Sequence, residues 1–545
     1  MFWLYLILSF LIVALGQPAR MPILGLFAAA LGFALFWRSM LYLHKRSSRF
    51  FLALVWFFGV QTIQLSWMAT TQYMGPLILV VYLLLCLGLG LQFALLSLAV
   101  RTFLSWHRKL ALAGLWVFFE WSRLYICSGF TWNPAGLFLA GSTYTLQMAS
   151  FLGIYGLSFW VMWVNLSALS ALFAYRDWKR VGTFVLLAFL PYFGGALYLH
   201  HLDTKPSSFL RALLVQTALL PEQKDYDVNQ PDSFIPLAVQ WETILDSIEA
   251  ALRAQPGPID LIVLPEGAIS YGAYRYQYDM RVIEKIWERH FGLEAVADLP
   301  DLQAPQARLE RGRWKVTNAY WAQALASYYK TDLVIGLDDE QYNAAFIFRP
   351  EPSSSMRYEK RILVPVSEYI PFGGLRIVSD FIADQFDIRQ SFSAGTKAKL
   401  FLAKIPFSVS ICYEETYGKF SREGRLEGAE LFVNITNDAW FPSSSLAQQH
   451  FDHGIIRSVE NGVPVLRACN TGITGGVDRF GRILRLLPPS EDKSGALIVQ
   501  VPIGSHSTLY TLWGDAAILW ISGFFVLLSF VLTFHSRLSK TPPHN

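Results

Sequence analysis

The chain has 545 residues, of which 53% are hydrophobic, 15% are aromatic and only 16% are charged. This composition is too apolar for an ordinary soluble enzyme, so it indicates a membrane protein. The net charge of +4 is small and the basic residues are not gathered into one arm or stripe, which excludes the electrostatic footprint of a nucleic-acid-binding protein.

Eight apolar segments recur along the chain, and most of them reach the ~20 residues that a helix needs to cross the hydrocarbon of a bilayer. They cover residues 3–16, 22–43, 50–68, 76–100, 110–127, 150–173, 182–199 and 511–534. The first segment has no basic region before it and no small-residue cleavage pattern after it, so we expect it to be retained and not removed as a signal peptide. The sequence therefore predicts about eight transmembrane helices.

Lysine and arginine collect in alternate loops between these segments. Basic residues follow the second, fourth, sixth and eighth segments, whereas the loops "MATTQYMG" and "CSGFTWNPAGLFLAGST" contain none and "GQPARMP" contains only Arg20. Because basic loops remain on the cytoplasmic side, this pattern predicts that both termini are cytoplasmic. The residues between the seventh and eighth segments then lie on the extracytoplasmic side.

The composition changes between residues 205 and 505 to a mixture of charged residues, proline and glycine that is typical of a globular domain. Continuous apolar runs such as "LRALLVQ", "IDLIVLPEG" and "TDLVIGL" alternate with amphipathic helical patterns, which is typical of strands buried on both faces. We therefore predict an α/β domain at 205–505, a seven-helix transmembrane domain at 1–204, and a C-terminal transmembrane helix with a short cytoplasmic tail at 506–545.

Three reactive residues follow predicted strands of this domain, where α/β folds collect their chemistry: Glu266, Lys360 and Cys412. Glu266 follows the buried run "LIVLP" and fits either a partly desolvated general base or a carboxylate at a helix start or rim. Lys360 lies among charged residues and, taken alone, fits a surface lysine. Cys412 follows "FSVSI" and fits either a nucleophile or a buried core residue.

The segments "LPEGA", "YEKRILVPVSEYIPFG" and "ICYEE", in that order, resemble the Glu, Lys and Cys motifs of the nitrilase superfamily. Together with eight predicted spans, they are similar to the membrane-embedded branch of that superfamily. The stretches "FVNITNDAWF", "QQHFDHGIIRSVENGVPVLRACNTGITGGVD" and "FFEWSRLYICSGFTWN" extend the resemblance over essentially the whole chain. It implies an α-β-β-α sandwich for the extracytoplasmic domain.

The resemblance also implies an activity, N-acylation of the α-amine of the N-terminal diacylglyceryl-cysteine of apolipoproteins, the last step of bacterial lipoprotein maturation. The acyl donor would be a membrane phospholipid such as phosphatidylethanolamine, and the acyl group would pass through a thioester on Cys412 in a ping-pong mechanism. Glu266 would act as the base, and Lys360 would stabilise the thiolate and the tetrahedral oxyanion. The implied setting is the bacterial inner membrane, with a periplasmic catalytic domain and a monomeric protein.

Eight further positions match site residues of the family. As substrate-pocket or supporting residues, the resemblance implies Glu368, Tyr413, Glu414, Asn343, Pro371, Asn437, Trp440 and Trp132. The carboxylates at 368 and 414 would surround the lysine and keep it charged. The chain departs from the family shortly after the first domain strand, where Tyr226 replaces a tryptophan. The long stretch 272–330 is either a mobile lid or a surface insertion.

Glu120 and Arg123 lie three residues apart on one face of the fifth predicted span. Ionisable residues at membrane depth are costly, so they indicate either a mutually paired structural couple or contact with a substrate headgroup.

No cofactor and no metal are expected, because His450 and His453 are close together but no further residues complete a set of ligands. Cys412 and Cys469 share a compartment in which disulfides form, and the enzyme hypothesis predicts that both are free.

Two other functions stay open: a membrane-tethered carbon-nitrogen hydrolase with water as the acceptor, and a non-catalytic lipid-binding scaffold. The series of spans favours acyl transfer over the first, and the joint presence of the three reactive residues argues against the second.

Overall fold

A computed structural model describes residues 1–538 apart from 127, 204, 205, 207, 227–229, 352–355, 372–374 and 386–390. The predicted domain limit at 204/205 and the tail from 539 lie outside these described residues. The chain forms two compact units. The first comprises Met1–Thr204, Val459–Gly462 and Ser507–Asn545, and the second comprises Lys205–Ser458 and Val463–His506.

The first unit is helical, and the second combines strands with helices. In chain order, the α-helices of the described residues are α1 (Phe2–Leu15), α2 (Pro22–Phe27), α3 (Phe33–Met40), α4 (Arg46–Gln64), α5 (Leu77–Ser97), α6 (Trp106–Ser122), α7 (Thr143–Leu146), α8 (Ala149–Phe173), α9 (Trp178–Leu202), α10 (Pro221–Lys224), α11 (Leu237–Ala254), α12 (Met280–Phe291), α13 (Leu293–Val296), α14 (Asn318–Tyr329), α15 (Arg376–Gln385), α16 (Gly418–Leu426), α17 (Leu446–Asn461), α18 (Leu509–Trp513) and α19 (Asp515–Leu538). The strands are β1 (Phe209–Gln216), β2 (Leu261–Val263), β3 (Tyr278–Asp279), β4 (Ala307–Glu310), β5 (Arg313–Val316), β6 (Asp332–Asp339), β7 (Tyr342–Phe348), β8 (Met356–Glu359), β9 (Leu400–Phe401), β10 (Phe407–Ile411), β11 (Leu431–Thr436), β12 (Val465–Cys469), β13 (Thr474–Val477), β14 (Ile483–Leu487) and β15 (Gly495–Pro502).

Five helices of the described residues are long and apolar enough to cross a membrane. They are Pro22–Met40, in which a π-helix joins α2 to α3, Leu77–Ser97, Ala149–Phe173, Trp178–Leu202 and Asp515–His535. The other three predicted segments correspond to α1, α4 and α6. At 1.5 Å per residue, the 14 residues of α1 and the 17 of α6 fall short of a ~30 Å hydrocarbon core, and α4 begins with Arg46 and includes Arg49. Five of the eight predicted spans therefore form helices that are long and apolar enough to cross a membrane.

A π-helix, Ala28–Gly32, interrupts the regular hydrogen bonding of the second predicted span, and Asn165 of α8 supplies replacement partners. Asn165 Nδ2 donates to the carbonyl oxygens of Ala28 at 3.2 Å and Ala29 at 2.7 Å. Its Oδ1 accepts the backbone N–H of Ala34 at 3.1 Å. Because Asn165 is fully buried, these bonds offset the cost of removing its amide from water and hold the two helices together.

Within its described residues, the second unit contains two six-stranded sheets and one small sheet. The first large sheet has the order β15-β1-β2-β6-β7-β8, and the second has the order β14-β13-β12-β11-β10-β9. β1, β2 and β6 run parallel in the first sheet, and β10, β11 and β12 run parallel in the second. Parallel neighbours present their carboxyl ends at one edge of a sheet, and the loops at such edges carry functional groups.

Three apolar layers hold the second unit together. Side chains from both large sheets, such as Leu214 and Val433, fill the layer between them. The outer face of the first sheet packs against helices that include α12, which contributes Trp287. The outer face of the second sheet packs against α17 through Phe432 and Phe451. The α-β-β-α sandwich that the family resemblance implies is therefore the observed fold.

The stretch 272–330 belongs largely to the packed outer layer of the first sheet. It contains the β3-β5-β4 sheet and the helices α12, α13 and α14. Trp287 of α12 and Trp321 of α14 are buried in the core. Of the two alternatives stated for this stretch, its burial argues against a lid that moves as a whole.

Candidate active site

Glu266 lies just beyond the carboxyl end of β2, in a loop that is pressed against β6. Gly336 of β6 permits this approach, because an added Cβ there would lie 2.5 Å from the Cα of Glu266. Gly267 follows with a φ of +52°, a left-handed conformation that glycine adopts without strain. The loop directs the buried Glu266 carboxylate to Asn343 of β7 and to Lys360, which follows β8.

Lys360 is the centre of the site, and only 1% of its surface is exposed. Its Nζ donates to Glu266 Oε1 at 3.0 Å and to Glu368 Oε1 at 2.7 Å. Burial by itself lowers the pKa of this ammonium, but the two carboxylates outweigh burial and raise the pKa well above its ordinary value. Lys360 is therefore a fixed cation at neutral pH.

Asn343 links the same two carboxylates. Its Nδ2 donates to Glu266 Oε1 at 2.6 Å and to Glu368 Oε1 at 2.9 Å. The second oxygen of Glu368 accepts the backbone N–H of Val364 at 2.8 Å. Donors therefore hold both oxygens of Glu368, whereas the contacts of Glu266 with Lys360 and Asn343 both fall on Oε1.

Cys412 begins a 3-10 turn, Cys412–Thr416, at the end of β10. Its φ of +53° is a strained, left-handed conformation for a residue with a side chain, and it breaks the strand at this point. Burial and the charge of Glu266 raise the pKa of the thiol, and the Lys360 ammonium opposes that rise. The sulfur is therefore a protonated thiol, which would require a base in order to act as a nucleophile.

Glu414 ties the turn that carries Cys412 to the segment that carries Lys360. Its fully buried carboxylate accepts the backbone N–H of Ile411 at 2.8 Å and of Arg361 at 2.5 Å, and it accepts the hydroxyl of Tyr358 at 3.0 Å. The sequence interpretation set this carboxylate around the lysine. In the part of the chain that the structure describes, its hydrogen bonds go instead to backbone groups and a tyrosine, because the residue lies in the tight turn after β10.

Three other predicted pocket residues lie in the second unit, and two of them, Tyr413 and Asn437, closely follow the strands β10 and β11. Tyr413 is buried, and its ring contacts that of Tyr417 edge to face with centroids 5.2 Å apart. Asn437 Oδ1 accepts from Asn470 Nδ2 at 3.0 Å. Pro371 is buried as well.

The predicted aromatic contacts differ in their surroundings. Trp440 is partly exposed on the second unit. Trp132 belongs to the first unit, where it is buried with its ring centroid 5.1 Å from that of Trp67. Tyr226, where the resemblance implies a tryptophan, is exposed and packs edge to face on Phe234.

Glu120 and Arg123 are both buried inside the first unit. Glu120 Oε1 accepts from Trp116 Nε1 at 2.6 Å and from the backbone N–H of Ala135 at 2.7 Å. Arg123 Nε donates to Gln92 Oε1 at 2.9 Å. These contacts join neighbouring segments of the helical unit.

Comparison with known proteins identifies the family. The carbon-nitrogen hydrolase family matches residues 230–519, and the apolipoprotein N-acyltransferase N-terminal domain matches residues 8–167. The apolipoprotein N-acyltransferase of Chlamydia pneumoniae is 32% identical over 546 aligned residues, which cover 95% of this chain and 94% of the relative. The chain belongs to the apolipoprotein N-acyltransferase family. Other apolipoprotein N-acyltransferases it resembles are those of Chlamydia caviae, 30% identical over 94% of both chains, and of Haemophilus ducreyi, 27% identical over 96% of both chains.

Solved structures of carbon-nitrogen hydrolases also match this member of the apolipoprotein N-acyltransferase family. The carbon-nitrogen hydrolase of Helicobacter pylori G27 is 16% identical, covers 61% of this chain and 99% of its own, and has a TM-score of 0.34. An amidase from Nesterenkonia sp. is 17% identical, covers 55% of this chain and 92% of its own, and has a TM-score of 0.31.

Sequence reasoning missed a second lysine beside Glu266. Lys224, at the end of α10, donates from Nζ to the carbonyl oxygen of Gly267 at 2.5 Å. Burial lowers the pKa of Lys224 to about 8, although the charges of Glu266 and Asp338 oppose the fall. Its signal in the sequence was its place shortly after the first domain strand, β1.

Sequence reasoning also missed four buried charged residues beside Cys412, which we call the charge cluster. They are Glu415, Asp438, His450 and Arg467, and each is 5% exposed or less. Their signal was present in "CYEE", "NDAWF", "QQHFDHG" and "VLRAC", where ionisable residues adjoin predicted buried strands. Ionisable residues in such positions require buried partners, but spacing along the chain does not show which residues pair.

The cysteines of the second unit, Cys412 and Cys469, are both free thiols. Cys469 Sγ accepts the backbone N–H of Gly472 at 3.1 Å and lies 3.4 Å from Asp438 Oδ2. Burial raises its pKa well above the ordinary value. Within the described ranges, no group of three or more His, Cys, Asp or Glu side chains has the arrangement of a metal site.

Proposed function

We propose that this chain transfers an acyl group from a membrane phospholipid to the α-amine of the N-terminal diacylglyceryl-cysteine of apolipoproteins, through a thioester on Cys412. The observation that carries the proposal is the Lys360 ammonium held between Glu266 and Glu368, with its charge and that of Glu266 acting on the Cys412 thiol. Membership in the apolipoprotein N-acyltransferase family supports the substrate class.

In the first half-reaction, Cys412 attacks the ester carbonyl of the phospholipid while Glu266 takes the thiol proton. Once Glu266 is protonated, its charge no longer opposes the thiolate, whereas the Lys360 ammonium continues to favour it. The same ammonium and a backbone N–H near Tyr413 stabilise the tetrahedral oxyanion. The C–O bond then breaks, Glu266 returns its proton to the leaving alkoxide, and a lysophospholipid departs from the thioester.

In the second half-reaction, the α-amine of the lipoprotein attacks the thioester. Glu266 takes a proton from the amine as the C–N bond forms, and the proton passes to the departing Cys412 thiolate when the C–S bond breaks. The products are the amide and the free thiol. One base therefore serves both halves of the ping-pong reaction, which requires no cofactor.

The remaining site residues are proposed to support this chemistry. Glu368 and Asn343 hold the ammonium and the base, and Glu414 holds the turn of the nucleophile. Tyr413, Pro371, Asn437, Trp440 and Trp132 are proposed as substrate-pocket residues.

The apolar segments of the sequence and the charges of the loops between them support a membrane arrangement. We propose that 1–204 forms a seven-helix domain, that 205–505 is the periplasmic catalytic domain, and that 506–545 contains the eighth helix and a cytoplasmic tail. The alternation of basic loops supports cytoplasmic termini in the bacterial inner membrane. We propose further that the protein is a monomer and that phosphatidylethanolamine is the acyl donor.

The test is to incubate the purified full chain with phosphatidylethanolamine vesicles and to measure acyl adducts by mass spectrometry of the Cys412 peptide. An adduct is expected in the wild type and in Cys469→Ser, which removes the other free thiol of the second unit, and none is expected in Cys412→Ser. Adding a diacylglyceryl-cysteine peptide should move the acyl group to the peptide amine. Release of free fatty acid in place of that amide would identify a hydrolase, and absence of any adduct would identify a non-catalytic scaffold.

A further inference from the structure

His450, on α17, contacts the nucleophile's own backbone. Its Nε2 lies 3.2 Å from the carbonyl oxygen of Cys412 and 3.1 Å from Glu415 Oε1. Its Nδ1 lies 2.9 Å from Asp438 Oδ1. His450 therefore joins the charge cluster directly to the residue that is proposed to carry the acyl group.

The atoms that face the ring nitrogens of His450 in these contacts are oxygens that accept hydrogen bonds. A neutral imidazole has one donor nitrogen and one acceptor nitrogen, whereas the imidazolium ion has two donors. Both ring nitrogens of His450 face oxygen acceptors, which are two carboxylates and a carbonyl. The imidazolium is the form that satisfies all three contacts.

Arg467 is the second cation of the charge cluster. Its Nε donates to Glu415 Oε1 at 2.9 Å, and its Nη2 donates to Asp438 Oδ2 at 3.2 Å. Burial by itself raises the pKa of Asp438, but Arg467 and His450 hold that pKa below its usual range. When both ring nitrogens of His450 donate, it and Arg467 balance the charges of the two carboxylates in the charge cluster.

The contact with Cys412 has a geometric consequence. A trans peptide is planar, so the C=O of Cys412 and the N–H of Tyr413 point in opposite directions. Because the carbonyl is directed at His450, the N–H is directed away from the charge cluster. Asn434 Nδ2 is a longer second donor to the same carbonyl, at 3.4 Å.

The contact also has an electrostatic consequence. The negative charge of Asp438 raises the pKa of the Cys412 thiol, as does that of Glu266, and Lys360 lowers it. A neutral residue at 450 would leave the charge cluster with an excess negative charge beside the forming thiolate. Two further groups on the same helix, His453 and Arg457, interact with one another, and the charge of His450 acts on His453.

We propose that His450 is a positioning residue for Cys412, in that its imidazolium anchors the Cys412 carbonyl, aims the Tyr413 N–H at the oxyanion and neutralises the carboxylates that oppose the thiolate. The part that concerns the oxyanion rests on the acyl transfer proposed above, and the part that concerns the thiolate does not.

The first experiment measures alkylation of Cys412 by iodoacetamide near pH 8, followed by mass spectrometry of the Cys412 peptide, in the full-length protein without lipid. Below the pKa of the thiol, the rate is proportional to the thiolate fraction. We expect His450→Gln to lower the rate about tenfold, the equivalent of one pKa unit. We expect Asp438→Asn to raise the rate, and the double variant to return it toward the wild-type value.

Compensation of this kind separates charge balance from damage to the fold. Misfolding does not produce shifts of opposite sign in the single variants and recovery in the double variant. Equal rates in His450→Gln and the wild type, or a double variant no faster than His450→Gln, would overturn the thiolate part of the proposal.

The second experiment measures acyl-Cys412 formation from phosphatidylethanolamine vesicles. We expect His450→Gln to slow it about 10²-fold, more than its alkylation, because the oxyanion donor is misaimed as well. If His450→Gln slows acyl-Cys412 formation no more than it slows alkylation, the part of the proposal that concerns the oxyanion is refuted. If the wild type forms no adduct, yet the alkylation rates shift as expected, the proposed function fails while the role of His450 toward the thiolate stands.

Discussion

Lys360 Nζ is closer to Glu368 Oε1, at 2.7 Å, than to Glu266 Oε1, at 3.0 Å. Glu368 has donors on both of its oxygens, because Val364 binds the second one. We infer that the two carboxylates have different roles. Glu368 holds the Lys360 ammonium in place, and Glu266 accepts and returns the proton.

Replacing Glu368 tests these roles. In Glu368→Gln the ammonium keeps one carboxylate, so Lys360 is drawn to Glu266 and competes with the thiol for the base. We expect acyl-Cys412 formation to slow about 10²-fold, and Glu266→Gln, which removes the base, to slow it at least as much. The time course of the adduct measures both. Glu359→Gln, at the partly exposed pair with Arg357, should leave the rate unchanged, and a wild-type rate in Glu368→Gln would contradict the assignment.

Asn343 is expected to matter through its amide donor. In Asn343→Leu, Glu266 and Glu368 each lose one hydrogen-bond donor. The repulsion between the two carboxylates then increases, because the amide dipole no longer lies between them. Asn343→Asp preserves the shape but adds a third negative charge, so we expect adduct formation to fall further than in Asn343→Leu. The rates of acyl-Cys412 formation in the wild type, Asn343→Leu and Asn343→Asp, measured by the same mass-spectrometric assay, test this order. An aspartate variant as active as the wild type would show that the amide donor is not required.

Glu414 is expected to stabilise the second unit. Glu414→Gln places an NH₂ group where a carboxylate oxygen accepts buried donors such as the N–H of Ile411. Each donor left without a partner costs about 1–3 kcal/mol, so the apparent unfolding temperature in detergent should fall together with the activity. The matched control is Glu423→Gln, which loses a partly exposed ion pair with Arg361 worth at most about 1 kcal/mol. Equal unfolding temperatures for the two variants would contradict this role.

Asp452, on α17, is expected to lower stability above neutral pH. Burial raises its pKa to about 7, although Gln448 donates to it at 2.9 Å. Between about pH 4 and 7 the folded chain binds the proton that the unfolded chain has released, so the stability contributed by Asp452 is present at low pH and declines as pH rises toward 7. Asp452→Asn should therefore raise the apparent unfolding temperature at about pH 8 but not at about pH 4. A difference that is the same at both pH values would refute this assignment.

Much of the fold could be predicted from the sequence. The sandwich, and the positions of Glu266 and Cys412 beside strand ends, follow from apolar runs and motifs that are read locally. The number of helices long and apolar enough to span the membrane did not follow, because α1 has only 14 residues, α6 has only 17, and α4 contains Arg46 and Arg49. The direction of Glu414 did not follow either, since it depends on the turn after β10.

The sequence by itself determined the class of protein and the two kinds of unit, and it predicted three candidate reactive residues, because hydropathy, periodicity and short motifs are properties of neighbouring residues. Only the tertiary structure decided which charges meet. His450 reaches the carbonyl of Cys412 across 38 positions, and Arg467 reaches Glu415 across 52. Such pairs depend on where packed strands and α17 direct their side chains, and the need of buried charges for partners then determines which of them bind.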